Sequence, residues 1–165
     1  MVEKGSPTAG SALNKKDSAQ FIGFRLADQE YAFRIEQIQE IVILDQVTQT
    51  PQVADYIEGV ANLRGTIIPI VNLRQLFGFQ PKPLDDETRT VVVNVGERTM
   101  GCTVDSVTQV IRILTTQIQP APEMVTSAGN AYISGLAKLD ERLVIILDVD
   151  KLLNPEKLDF DRQSE

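Results

Sequence analysis

The chain has 165 residues, 42% of them hydrophobic, with 16 basic side chains against 23 acidic ones and a formal charge of −7. That length suits one ordinary domain or two small fused ones with a packed core, while an acidic chain without a basic run repels polyphosphate and speaks against a nucleic-acid partner. Histidine and tryptophan are absent, which removes His-based acid–base chemistry, Ser–His and Cys–His nucleophiles, imidazole metal ligands and phosphohistidine.

No apolar run approaches the roughly 20 residues that span a bilayer, and the N-terminus has no signal-peptide core. The single Cys102 cannot close an internal disulfide, which fits a reducing compartment. The expectation is a cytoplasmic protein with no cofactor and no direct membrane insertion.

Residues 1–19 are small, polar and aperiodic and read as a disordered arm. From Gln20, Ile22, Phe24 and Leu26 alternate with Gly23 and Arg25 as a half-buried strand. Asp28 to Glu30 supplies a turn, and Tyr31 to Ile35 returns as a second strand. The spacing of three between Ile35, Ile38 and Ile41 predicts a tight helical turn leading into Val42, Ile43 and Leu44. Thr50 and Pro51 mark a loop. The stretch Gly59 to Val71 follows, with Asn62, Arg64 and Gly65 ahead of an apolar strand. Asn72 is a good N-cap for a short helix carrying Leu73, Leu76 and Phe77, and Gly78 ends it. Residues 81–87 form the best boundary, after which Thr90 to Val95 restarts a strand.

What restarts is the same pattern. A shift of 69 residues pairs Ile22 with Val91, Phe24 with Val93, Leu26 with Val95, Ile35 with Val104, Ile38 with Val107 and Ile41 with Val110. A shift of 76 then pairs Tyr56 with Tyr132, Gly59 with Gly135, Ala61 with Ala137, Leu63 with Leu139 and Ile70 with Ile146. The chain reads as a duplication of two β-rich units, about 20–80 and about 88–155, followed by a polar tail at 156–165. Units of this size are marginal alone, and their short alternating strands favour small barrels over a sandwich or a βαβ sheet.

The repeat separates architecture from function, because a feature in one copy only is the better functional candidate. Cys102 matches Phe33, an apolar strand position, and so reads as core. Asp148 and Asp150 match Asn72 and Arg74, which makes them an N-cap and a first-turn charge and not metal ligands. The glycine-spaced run Gly96 to Thr103 has Cys102 where a phosphate loop needs lysine and spans strand–turn–strand. Asn62-Leu-Arg-Gly65 is different, because its counterpart is Lys138-Leu-Asp-Glu141, so only the leucine is kept. The plain alternative is an exposed arginine beside a bulge. Glu40 aligns with Gln109, so its charge is also specific to the first copy.

Gly59-Val-Ala-Asn-Leu-Arg-Gly-Thr-Ile-Ile-Pro-Ile-Val-Asn-Leu-Arg74 resembles the signature of the CheW family of chemotaxis coupling proteins. Ile35 to Ile41, Gly101 to Val107, Gln119 to Glu123 and Leu143 to Leu153 resemble its other blocks in the same order, so the likeness spans residues 20–155. The resemblance implies a mainly all-β fold of two small SH3-like five-stranded barrels, partly segment-exchanged, around a shared groove. It implies a non-catalytic adaptor between the helical cytoplasmic tip of methyl-accepting chemoreceptors and the regulatory domain of a histidine autokinase. Carried across, Ile35, Ile38 and Val107 are candidates for the apolar groove that takes the receptor helix, with Glu40, Asn62, Arg64 and Gly65 as its polar edge. Kinase contacts are expected at Ile41, Val42, Ile43 and Leu44 and in the loop of Pro120 and Met124. The chain departs from the family in its long polar arm and in Asn72, where aspartate is common.

The same domain occurs within chemotaxis kinases and adaptor–receiver fusions, but this sequence offers no phosphoacceptor histidine, ATP-binding region or room for a receiver. An OB-like single-strand binder needs basic grooves and stacking aromatics, against 5% aromatics and an acidic charge here. An enzyme would have to rest on an unusual carboxylate or Ser/Lys site.

Overall fold

The computed structural model describes residues 17–51, 53–123 and 131–154. In chain order these form β1 (Ser18–Leu26), β2 (Gln29–Arg34), a 3-10 turn (Ile35–Gln37), β3 (Ile38–Val42), β4 (Ile57–Leu63), β5 (Thr66–Asn72) and α1 (Leu73–Leu76). Then come β6 (Arg89–Val95), β7 (Arg98–Val104), β8 (Ser106–Leu114), a second 3-10 turn (Thr115–Gln117), β9 (Ile118–Gln119), β10 (Ile133–Leu139), β11 (Arg142–Leu147) and α2 (Val149–Leu152). The protein is mainly β, as the alternation of apolar residues predicts.

The strands make a six-stranded sheet in the order β9-β10-β11-β2-β1-β8 and a five-stranded sheet in the order β3-β6-β7-β5-β4. Each sheet therefore takes its first hairpin from one sequence repeat and its other strands from the other repeat. The register carries the duplication pair by pair. Ile38, Ile41 and Val42 face Val93, Val91 and Thr90, and 69 residues on, Val107, Val110 and Ile111 face Phe24, Ile22 and Phe21. The parallel contact Ile70–Gly101 is likewise matched by Ile146–Ala32. The segment exchange is thus reciprocal, and the repeats 20–80 and 88–155 are sequence units, not the physical sheets.

Burial explains the exchange. The β1–β2 hairpin puts Phe24, Leu26 and Phe33 into a central cluster with Val93, Met100, Cys102 and Leu147 from the other elements. Its opposite face places Phe21 and Ala32 with Ile113, Val144 and Ile146 inside the six-stranded sheet. Full burial of each large side chain is worth about 1.5–3 kcal/mol, so the hairpin is held from both faces. In the five-stranded sheet, Val42 from one edge strand and Ala61 and Leu63 from the other join a single cluster with Ile68, Ile70 and Val92. Opposite edges share one interior, so the sheet curls on itself.

Several local expectations are met. Asn72 Oδ1 accepts from Gln75 N at 3.0 Å and Asp148 Oδ1 from Lys151 N at 3.2 Å, so both cap short helices. Cys102 is fully buried, and burial raises its thiol pKa. Gly96–Glu97 turns between β6 and β7, the expected strand–turn–strand.

Others are corrected. The first strand begins at Ser18, two residues inside the expected arm, because Ser18 and Ala19 pair with Leu114 and Ile113. The first turn is Ala27–Asp28, with Ala27 at φ 57°. The helical turn expected over Ile35–Ile41 ends at Gln37. From Ile38 the chain pairs with β6, and that ladder outweighs the local spacing signal. One sheet has six strands instead of five, because the two-residue β9 adds an edge; its counterpart is only a single bridge, Thr48–Val60.

Candidate functional site

The sequence-predicted polar residues meet at the tip of the β4–β5 hairpin. The two-residue turn is Arg64–Gly65, with φ of 52° and 90°. Positive φ at both positions is what a type I′ hairpin turn needs to match the twist of its strands. Gly65 is there for that conformation, since a Cβ at this position would meet nothing within 4 Å. Asn62 Oδ1 accepts from Gly65 N at 2.7 Å and braces the turn. A turn, and not a bulge, therefore projects Arg64.

Glu40 comes from the opposite edge of the same sheet. Between Ile38 and Glu40 the β3–β6 register slips, so Ile38 faces Val93 of the central cluster while Glu40 faces Val92 of the sheet interior. The bulge turns Glu40 toward the sheet mouth. There the Arg64 guanidinium donates to both carboxylate oxygens, Nη1 to Oε2 at 2.5 Å and Nη2 to Oε1. The pair is asymmetric in exposure, Arg64 at 68% and Glu40 at 21%. The hydrogen bonds from Arg64 hold the Glu40 carboxyl below its ordinary pKa, and the carboxylate raises that of Arg64 in return.

Ile38 and Val107, equivalent under the repeat, are half-buried against the central cluster. Ile35 is half-buried in the 3-10 turn before β3. Of the kinase-contact candidates, Ile41 near the end of edge strand β3 and Ile43 just after it are 36% and 65% exposed, while Val42 and Leu44 pack inward. Pro120 is exposed just after β9, on the other sheet. Met124 lies outside the described residues.

Two further contributions, one beside the fork and one on the other sheet, are not in the sequence reading. Ile67, 60% exposed, sits directly across the hairpin from Asn62. At the other sheet's mouth, Gln109, with its amide oxygen turned toward Arg142, accepts from that guanidinium at 2.8 and 3.2 Å. Arg142 also pairs with the buried Glu30 at 3.3 Å, and Glu30 accepts from Thr108 at 2.7 Å. The alignment of Glu40 with Gln109 was a signal for this second arrangement. Its arginine was hidden, because Arg142 is the counterpart of Thr66 and not of Arg64. Among the described residues no group of three or more His, Cys, Asp or Glu side chains is placed to hold a metal ion, and no helix is long and apolar enough to cross a membrane.

Comparison with known proteins identifies the family. A family model for the CheW-like domain matches residues 20–157. The chain belongs to the CheW-like domain family. It is 38% identical over 154 residues to the chemotaxis protein CheW of Klebsiella aerogenes, covering 93% of each chain. The Helicobacter pylori protein of the same name is 36% identical over 154 residues, again 93% of each. Among solved structures, the scaffolding protein TtCheW of Thermoanaerobacter tengcongensis superposes with a TM-score of 0.78 at 30% identity, covering 86% of this chain and 97% of that one. The CheW-like assignment drawn from the Gly59–Arg74 signature holds over nearly the whole described fold.

Proposed function

We propose that this CheW-like chain is a non-catalytic cytoplasmic adaptor of chemotaxis signalling, coupling the helical tip of a methyl-accepting chemoreceptor to the regulatory domain of a histidine autokinase. The observation that carries the reading is the Arg64–Glu40 fork, an exposed guanidinium held in a fixed direction at a position the second repeat does not share. Aliphatic groups on one surface supply affinity to an incoming helix, and an oriented charge sets its register. Ile35, Ile38 and Val107 take the apolar stripe of the receptor helix, and Glu40, Asn62, Arg64 and Gly65 form the polar edge that fixes its rotation. Ile41 to Leu44, at the end of β3 and just after it, with Pro120 and Met124, serve the kinase.

The test is a pull-down from the source cell with wild type, Arg64→Asp and Ile43→Asp, each checked by circular dichroism. Wild type is expected to recover a chemoreceptor and a histidine kinase. Arg64→Asp should lose the receptor at least about tenfold, the range of a hot-spot contact, and Ile43→Asp should lose the kinase. Recovery of neither partner by wild type would sink the coupling reading. Normal receptor binding by Arg64→Asp would remove the fork from it.

A further inference from the structure

A cavity of about 650 Å³ opens beside the five-stranded sheet, between the segment after β3, the start of α1 and the linker at Pro81–Leu84. That is the size of a small-ligand site. Its walls include Leu44, Val47, Val53, Ile57 and Leu84, and the half-buried carboxylate of Glu58 lines it. Glu58 is held in place by neutral donors alone, with Thr103 Oγ1 at 2.7 Å from Oε1 and Asn72 Nδ2 at 2.9 Å from Oε2. Among the described residues no ion pair engages it. Lys82, on the same cavity wall, is bound to Asp85 at 3.0 Å. A carboxylate has about four lone-pair sites, so two remain free of these donors.

The duplication supplies the comparison. At the corresponding place beside the other sheet, a cavity of about 400 Å³ is lined by Ser134, Asp148 and Arg34, the counterparts of Glu58, Asn72 and Thr103. There an arginine lines the cavity, Arg34, with its guanidinium 5.4 Å from the Phe21 ring centroid. In the first copy the acid is moved to Glu58, and Thr103 stands where the arginine would be. Asp45 and Asp55 add negative charge to the larger cavity.

We propose that the Glu58 cavity is a binding site for an arginine side chain presented by a protein partner. Its guanidinium bonds the Glu58 carboxylate, and its aliphatic stem lies along Leu44, Val47 and Leu84. An apolar strip beside a carboxylate fixed by two donors suits a long cationic side chain better than a compact cation, because the stem is desolvated while the head stays paired. The site does not rest on the receptor–kinase reading and can stand or fall without it.

The probe is Nα-acetyl-arginine methylamide, titrated into the full-length 15N-labelled protein, with the norleucine analogue as the uncharged control. Saturable amide shifts at Glu58, Asn72, Thr103 and Val47 are expected with the arginine probe only, with Kd of roughly 1–10 mM for one side chain. Glu58→Gln keeps the shape and should weaken binding about tenfold, the difference between a charge-assisted and a neutral hydrogen bond. Leu84→Lys, at a position 66% exposed and so tolerant of the change, should weaken it comparably by placing a cation at the mouth. The absence of saturable shifts at these residues would overturn the proposal. So would equal shifts from the norleucine probe, or wild-type affinity in both variants.

Discussion

Arg64 and Glu40 stand on opposite edges of one sheet, 24 residues apart in sequence, and still meet as a two-point guanidinium–carboxylate fork. The contact needs three things at once: an I′ turn to project the arginine, a bulge to turn the glutamate inward, and a sheet curled enough to bring its edges together. None of the three is sufficient alone.

The fork has a titration signature. A carboxyl whose folded pKa is depressed contributes stability that is present above its unfolded value, about 4.3, and is lost as pH falls through the folded value. The Glu40 carboxyl carbon, followed by NMR, should therefore titrate below the ordinary glutamate range. In Arg64→Ala the midpoint should return to that range, since the hydrogen bonds from Arg64 are the main cause of the shift. An unchanged midpoint in the variant would show the pair to be open in solution.

The two glycines that frame β4 and its turn should behave differently. A Cβ on Gly59 would lie 1.9 Å from the Thr48 carbonyl oxygen, at φ 141°. Gly59→Ala must displace the crossing chain and should cost more than about 3 kcal/mol. Gly65→Ala meets no atom and bears only the positive-φ penalty, about 1 kcal/mol, with Gly65→Asn milder still. Urea denaturation of the three variants separates steric from conformational cost.

Arg74 and Asp105 tie the two repeats together on one side only. Asp105 Oδ2 pairs with Arg74 Nη1 and accepts from Ala27 N at 2.8 Å, while Arg74 Nε donates to Gln80 O at 2.5 Å. Both side chains are less than a fifth exposed. Asp105→Ala strands two donors and should cost about 2–3 kcal/mol. The counterpart positions, Glu36 and Asp150, are both acidic and exposed, so Asp150→Ala should stay within about 0.5 kcal/mol of wild type. Equal losses at the two positions would mean that the ion pair contributes nothing beyond surface charge.

Reciprocal exchange predicts how fragments behave. Residues 20–80 alone lack β6 and β7, interior strands of the five-stranded sheet, and residues 88–155 alone lack β1 and β2, interior strands of the other. Neither fragment should show a cooperative thermal transition. Mixed at equal concentration they should recover strand signal and a single transition, because each supplies the hairpin the other lacks. A cooperative transition in either fragment by itself would contradict the exchange.

Much was determined by the sequence alone. The alternation of apolar residues in β1 and β6, the N-caps Asn72 and Asp148, the burial of Cys102 and the 69- and 76-residue shifts each depend on short-range chemistry or on comparing one copy with the other. Both are readable along the chain. The signature from Gly59 to Arg74 placed the protein in its family for the same reason, because its residues are contiguous. Only the tertiary structure decided which strands neighbour which, that Ile38 begins a strand instead of continuing a helix, and that Arg64 closes on Glu40 while Arg142 closes on Glu30 and Gln109. Those outcomes turn on register, curl and which hairpin buries more apolar surface. They are properties of strands meeting across space, and no spacing within a single strand records them.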